Sequence, residues 1–454
     1  MRKEKFDNSL LRILLPVYKC VWVALLPLVC IYFIGRSKSE SSYRKKFLER
    51  LGVSPNFERG LIWIHAVSLG ELRAAIPLIR GLLNRSEKLI ITTITPAGRE
   101  EAERNFVSEI KNKKILLIYL PLEYGFAFHQ FFKRYKPKLG IILEYELWPV
   151  MIQQSIAHKV PLVLAQAQYV EKSFVRDKKW PRLRGSLLDG FKLILAKSDI
   201  HAQRFRSLSN TPVDVMGELR FEQPVNIDHL NQAKSFSTQL KLKEGNRVSF
   251  CFGSTGPGED EGLIKVMLIL KERAEKLGEA KPFFVYVPRH KKDFTKIKEA
   301  IDASTLNFMS RTKILNSNLE SNNISYSNIL EIDGLFGDSL GEINFYFHLA
   351  DFVFIGNSFN NLGSHNIIEP LALQKPVVVG PSTWGIEYPF KEAIAEEVVK
   401  KVSTFEDLTK FWTKKLKNPR LSKIEQDKMH KFYGEHAGAV KRCIQKLKEN
   451  GLLY

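Results

Sequence analysis

Several stretches of this sequence set acids, glycines and basic side chains at spacings that could do chemistry. His65-Ala66-Val67-Ser68-Leu69-Gly70-Glu71 joins an apolar run to an apolar helical stripe. A carboxylate that opens a helix there can take a proton from a substrate hydroxyl. Glu71 also lies three residues after Ser68, the spacing of a capping box, and the two readings carry equal weight. Glu144-Tyr145-Glu146-Leu147-Trp148-Pro149 places two alternating acids directly after the apolar run Leu139–Leu143. Like charges so placed repel, so one acid is expected to face a cation or hydroxyls. A helix start with Pro149 in its first turn accounts for Glu146 better than for Glu144.

The second half holds another set. Pro288-Arg289-His290 follows the run Phe283–Val287. The forked donors of Arg289 match phosphate oxygens, with a solvated arginine as the plain alternative. Gly253-Ser254-Thr255-Gly256-Pro257-Gly258 follows Val248–Phe252 and suits anion binding by backbone amides. It lacks the lysine of a phosphate-binding P-loop and the spacing of a dinucleotide fingerprint. Gly356-Asn357-Ser358 leads to His365-Asn366-Ile367-Ile368-Glu369-Pro370 and then to Lys375-Pro376-Val377-Val378-Val379. The acid Glu369, one turn into a helix, can accept from a ribose diol while helix-start amides meet phosphate; a structural acid at a helix start fits the same pattern. His365 reads as a hydrogen-bonded loop residue. There is no HExxH motif and no His/Asp cluster at metal spacing, so no metal site is expected.

The elements that must position these residues are legible as alternation. Leu61–His65, Leu89–Ile94, Ile115–Leu120, Leu139–Leu143, Val160–Ala165 and Leu193–Ala196 read as buried parallel strands. Helical patterns separate them over 71–83, 98–110, 124–135 and 147–157. A second series, Val248–Phe252, Phe283–Val287, Phe352–Ile355 and Val377–Val379, follows a polar stretch. Repeated βα units mean doubly wound parallel sheets, whose ligands sit beyond the carboxyl ends of the strands. The expected architecture is α/β, with two Rossmann-like domains facing across a cleft. Its parts are an N-terminal membrane anchor (1–40), a first domain (41–225), a linker (226–245), a second domain (246–425) and a C-terminal helix (426–454) able to pack back on the first domain. The Ser/Asn-rich stretch Asn316–Asn328 reads as an exposed loop.

Composition narrows the partners. The 454 residues are 44% hydrophobic and 26% charged, which is globular rather than disordered. Lys plus Arg number 69 against 49 acids, a net charge of +20 that favours a polyanionic partner. The basic residues are spread along the chain, without the concentrated patch of a nucleic-acid-binding module, so no nucleic acid is expected. Four cysteines without CxxC spacing exclude a disulfide scaffold and a zinc ribbon. From Leu10 to Ile34 the chain is apolar apart from Arg12 and Lys19, and Arg36, Lys38, Arg44, Lys45, Lys46 and Arg50 follow. That segment is marginal as a span and adequate as an interfacial anchor beside anionic lipid. The alternative is an amphipathic helix packed on the body of the protein. On the anchor reading, removing residues 1–34 should release the chain from membranes and spare its activity.

Taken together, these stretches resemble the 3-deoxy-D-manno-octulosonic acid (Kdo) transferases that act on lipid A precursors, glycosyltransferases of the GT-B fold. The resemblance rests on Tyr43–Lys46, His65–Glu71, Ala75–Leu78, Thr92–Pro96, Tyr119–Pro121, Glu144–Pro149, Val287–His290, Leu340–Glu342 and His365–Pro370. It implies inverting, metal-independent transfer of Kdo from CMP-Kdo to a lipid A precursor (lipid IVA), with no cofactor, on the cytoplasmic side of the inner membrane. Another membrane-associated GT-B transferase with a different nucleotide-sugar donor is the alternative. By resemblance Glu71 matches the general base, and Glu144 and Arg220 match transition-state stabilisers. Pro288, Arg289, Leu340, Gly341, Glu342, Asn366, Ile367, Ile368 and Glu369 match segments that hold CMP. The chain departs from the family pattern in places. Arg220 stands where a lysine is usual, and Gln166-Ala167-Gln168-Tyr169-Val170 stands for Asn-Ala-Arg-Leu-Ser, removing a positive charge. Ser254-Thr255-Gly256 stands for Ser-Thr-His, and Gln374 for a common glycine.

Overall fold

The computed structural model describes residues 9–39, 41–321 and 331–453. The chain forms two compact units, one running to Gln223 and resuming at His436, the other spanning Pro224–Glu435. The first carries seven strands: β1 (Ile62–His65), β2 (Leu89–Thr93), β3 (Ile115–Tyr119), β4 (Leu139–Leu143), β5 (Leu162–Ala167), β6 (Leu193–Ala196) and β7 (Val213–Val215). They pair in parallel in the order β3-β2-β1-β4-β5-β6-β7. Their apolar runs are continuous because helices cover both faces, leaving no solvated side to alternate against. Strand β4 packs so closely that a Cβ on Gly140 would lie 2.5 Å from Leu162 and 2.9 Å from Trp63.

One face of this sheet is closed by the end of the chain. Helix Ala439–Glu449 buries Ala439, Cys443 and Leu447 in the same core as helix Leu69–Leu83. Arg442 Nε donates to the Met216 carbonyl at 2.8 Å, and the Val440 amide donates to Glu222 at 2.7 Å. The helical stretch expected over 426–454 is two helices, Lys423–His436 and Ala439–Glu449, broken where Gly438 takes φ +87°.

The other face receives the N-terminus. Helices Ser9–Ala24 and Leu26–Ser39 follow one another, with a bend of 49° between them. Among the described residues no single helix is long and apolar enough to cross a membrane, although this bent pair meets the length and composition together. Leu11 and Leu15 enter the sheet core, and Phe33 packs with Leu122, Tyr124 and Ala127. The Arg50 guanidinium is sandwiched between the rings of Phe33 (4.8 Å) and Tyr119 (3.9 Å), a cation–π staple from helix to sheet. Ile13, Val17, Val21, Val23, Leu28, Ile31 and Ile34 remain exposed. The segment is therefore two-faced, and its removal would strip side chains from two cores. The structure argues against an anchor that can be cut away without consequence.

The second unit carries β8 (Ser249–Thr255), β9 (Phe283–Pro288), β10 (Phe308–Ser310), β11 (Gly334–Phe336), β12 (Phe352–Ile355), β13 (Val377–Val379) and β14 (Val399–Lys401). The parallel order is β10-β11-β9-β8-β12-β13-β14. Phe250, Phe252, Phe284, Tyr286, Phe352, Phe354 and Trp412 fill its core. Residues 226–245, read as a linker, instead begin with helix Ile227–Gln239, capped where Asn226 accepts from the His229 amide. Ala233 and Phe236 are buried, and Phe236 packs 6.1 Å from Phe345, so two apolar residues three apart suffice to dock an otherwise polar helix. Of the loop read at Asn316–Asn328, residues 322–328 lie outside the described residues, and Leu319 in the remainder is buried.

Leu15→Ala should lower unfolding free energy by about 2 kcal/mol, because it opens a cavity at the sheet. A thermal melt in mild detergent matching the wild type would show that the first helix does not support the core.

Candidate active site

The order of the first sheet reverses direction between β1 and β4, the crevice where open α/β sheets bind ligands. Glu71 stands shortly beyond β1 and Glu144 directly beyond β4. Ser68 caps helix Leu69–Leu83, its hydroxyl accepting from the Glu71 amide at 3.3 Å. The Glu71 carboxylate turns back to accept from the Val67 amide (2.7 Å) and the Ser68 hydroxyl (3.1 Å). The capping geometry and a carboxylate at the switch point thus coexist in one residue. Burial, followed by the negative charge of Glu144, pushes the Glu71 carboxyl up to about 7.

Glu144 takes φ +58°, a left-handed turn that delivers its side chain at the end of β4. Its Oε1 receives Lys197 Nζ and Arg220 Nη2, each at 3.4 Å. Burial pushes this carboxyl up, but Lys197 and then Arg220 outweigh it and hold Glu144 below the usual carboxylate range. Glu146 has a different fate: it accepts from the Trp148 indole, and burial raises it. The intervening Tyr145 donates to Asp177 at 2.9 Å. Glu218 completes the cluster, 3.1 Å from Lys197 and 3.3 Å from Arg220. The members follow strands β1, β4, β6 and β7.

The structure brings Glu71, Glu144 and Arg220 into one electrostatic cluster, and it adds Lys197 and Glu218, which sequence reading missed, and Gln168, which it noted only as a departure from the family pattern. Lys197 follows Leu193–Ala196 directly, and Glu218 and Gln168 stand just beyond β7 and β5. The rule that ligands lie beyond strand ends could have found Lys197, since that strand is legible in the sequence; β7 spans three residues and is not.

In the second unit the reversal falls between β8 and β12. Here one amide of the Gly253–Gly258 loop, that of Gly256, is already taken by a buried carboxylate from the chain itself. Glu259 accepts from the amides of Gly256 (2.8 Å), Asn357 (2.7 Å), Ser358 (2.8 Å) and Phe359 (2.8 Å). An internal anion ties the two switch-point loops together.

The remaining segments sit at the carboxyl ends of β9, β11 and β12. Pro288 ends β9 inside the sheet, while Arg289 is exposed, its amide donating to the Thr255 carbonyl at 3.1 Å. Burial, then the charges of Arg289 and His290, push His365 down to about 4, so it is neutral at physiological pH. Its Nε2 pairs with the side-chain Nδ2 of Asn357. Leu340 is exposed and Gly341 takes φ +89°, while Glu342 is committed to Arg311 at 2.5 Å. Ile367 and Ile368 are buried, so a ligand could meet only their backbone, and Asn366 Oδ1 already accepts from the Ile368 amide. Glu369 is half-buried in the first turn of helix Ile368–Ala372. Among the described residues no group of three or more His, Cys, Asp or Glu side chains could hold a metal ion.

Comparison with known proteins agrees with this fold. The chain overlays 87% of its length on a glycosyltransferase from Rickettsia africae (TM-score 0.54, 14% identity, 99% of that chain). It overlays similarly on a UDP-N-acetylglucosamine 2-epimerase from Listeria monocytogenes (TM-score 0.57, 14% identity, 87% and 96% covered). At such identity these likenesses speak for the fold alone. Residues 45–223 match the family model of 3-deoxy-D-manno-octulosonic-acid transferase. Curated relatives of that name include one from Bordetella pertussis, 29% identical over 86% of this chain and 87% of the relative. Another, from Haemophilus influenzae, is 29% identical over 98% and 97%. Two parallel Rossmann-like sheets, together with the likeness to these transferases, make the chain a glycosyltransferase of the GT-B fold. Within that class the chain is similar to the Kdo transferases over most of its length.

Glu259→Gln leaves four amides facing one carbonyl oxygen and a competing NH2 group. We expect a loss of about 2–3 kcal/mol in unfolding free energy, since hydrogen bonds to a charged group are the strong ones. An unchanged denaturant midpoint would show that the amides find other acceptors.

Proposed function

We propose that the chain is a Kdo transferase with CMP-Kdo as donor and a lipid A precursor (lipid IVA) as acceptor, acting with inversion and without a metal. The first unit supplies the base and the second holds the donor. Glu71 takes the proton of the attacking acceptor hydroxyl as its oxygen bonds to the anomeric carbon. The bond from that carbon to the CMP phosphate breaks on the opposite side, and CMP departs with the electron pair. Glu144 and Arg220 stabilise the charge that develops in the transition state. Arg289, with the backbone at Pro288, Leu340–Glu342 and Asn366–Glu369, binds the cytidylate. The bent apolar helix pair and the basic residues after it hold the chain at the cytoplasmic face of the inner membrane, against anionic lipid.

One observation carries this reading: the Glu71 carboxyl is tuned to about 7 at a switch point, beside an acid that cations keep ionised. A carboxylate with that affinity is a competent base at neutral pH, where an ordinary glutamate would hold a proton poorly. The exposed guanidinium of Arg289, at the end of β9, suits a phosphate. Incubation with CMP-Kdo and a tetraacylated lipid A precursor should yield a product heavier by Kdo on mass analysis. No product, in the presence of an active control enzyme, overturns the assignment.

Glu71→Gln should lower kcat on the order of a thousandfold while CMP binding is preserved. Wild-type kcat/KM should fall as pH drops below about 7, because the base becomes protonated. Glu144→Gln removes a charge that helps to raise Glu71, so the acid limb of whatever activity remains should move to lower pH. A limb that stays in place, or moves up, would separate the two carboxylates.

A further inference from the structure

Lys197 is among the most deeply enclosed charges in the described residues, its side chain 1% exposed. Its ammonium faces three oxygens: Gln168 Oε1 at 2.7 Å, Glu218 Oε2 at 3.1 Å and Glu144 Oε1 at 3.4 Å. Three acceptors match the three donors of a lysine ammonium. Arg220 contacts the same two carboxylates but stays 25% exposed. The two cations therefore differ in access: one can reach a ligand, whereas the other is enclosed by the cluster.

Gln168 explains how Lys197 is tolerated. Its carbonyl oxygen points at the ammonium, and a second cation at 168 would face the first at close range. The loops after β5 and β6 thus place two contacting positions, 168 and 197, with a single positive charge between them.

We propose that Lys197 is a positioning residue for Kdo transfer, neutralising and aiming Glu144 from the end of β6. The proposal rests on the functional reading above, in which Glu144 serves the transition state. Lys197 acts through Glu144 and does not touch substrate. The charge it supplies should be transferable to position 168 because the two side chains are in contact.

The test measures Kdo transfer from CMP-Kdo across pH 6–9, with melting curves, for the wild type, Lys197→Gln, Gln168→Arg and the double variant. Lys197→Gln should lower kcat at neutral pH by at least about tenfold with little change in either KM. That deficit should narrow as pH rises, because Glu144 without its lysine needs a higher pH to ionise. The double variant should recover to within about threefold of the wild type, a coupling that independent sites would not show. Gln168→Arg alone should be impaired, having two cations in contact. A Lys197→Gln enzyme with wild-type kcat, or with a deficit flat across pH and unrelieved by Gln168→Arg, overturns the proposal. So does a double variant that fails to restore folding if Lys197→Gln does not fold. A wild type without Kdo transfer overturns instead the functional reading beneath it.

Discussion

Repulsion between two carboxylates governs the first unit. Glu71 and Glu144 stand beyond adjacent strands, and both cannot be ordinary glutamates at once. The structure resolves the conflict unequally: Lys197 and Arg220 keep Glu144 charged, and its charge falls on Glu71 as a second burden after that of burial. Its affinity for a proton rises toward neutrality although it keeps its hydrogen bonds to Val67 and Ser68. A network of cations on one acid thereby tunes the other, and the strand order that places β1 beside β4 is what makes the arrangement available.

The two units answer the same topological situation differently. Each has a glutamate shortly after the strand at its switch point, Glu71 after β1 and Glu259 after β8. In the first, the carboxylate binds only its own loop, leaving the crevice chemically open. In the second, Glu259 reaches across to three amides of the loop after β12 as well as to its own loop, and it acts as a structural clasp. On the proposed function, phosphate recognition in that unit falls to groups beside this clasp, such as Arg289.

Much of this was legible in the residues. The long apolar strands announced themselves because parallel sheets bury both faces, and the acids after β1 and β4 stood out against those runs. Three-residue strands such as Val213–Val215 and Gly334–Phe336 carry too few residues for any period, and only sheet neighbours define them. Helix Ile227–Gln239 reads as polar because it buries just Ala233 and Phe236. Lys197 looked like one lysine among many in a basic chain; its partners come from β4, β5 and β7, which sequence distance conceals. Likewise nothing local marks Glu259 as the occupant of amides about a hundred residues away.

The return of helix Ala439–Glu449 to the first sheet has a bearing on biosynthesis. Cys443, Leu447 and Leu453 fill a core whose other walls come from residues 62–219. On the ribosome that core must wait, with one hydrophobic face incomplete, until helix Ala439–Glu449 has been made. A stop codon ahead of this helix would consequently harm a lobe whose strands were made long before it.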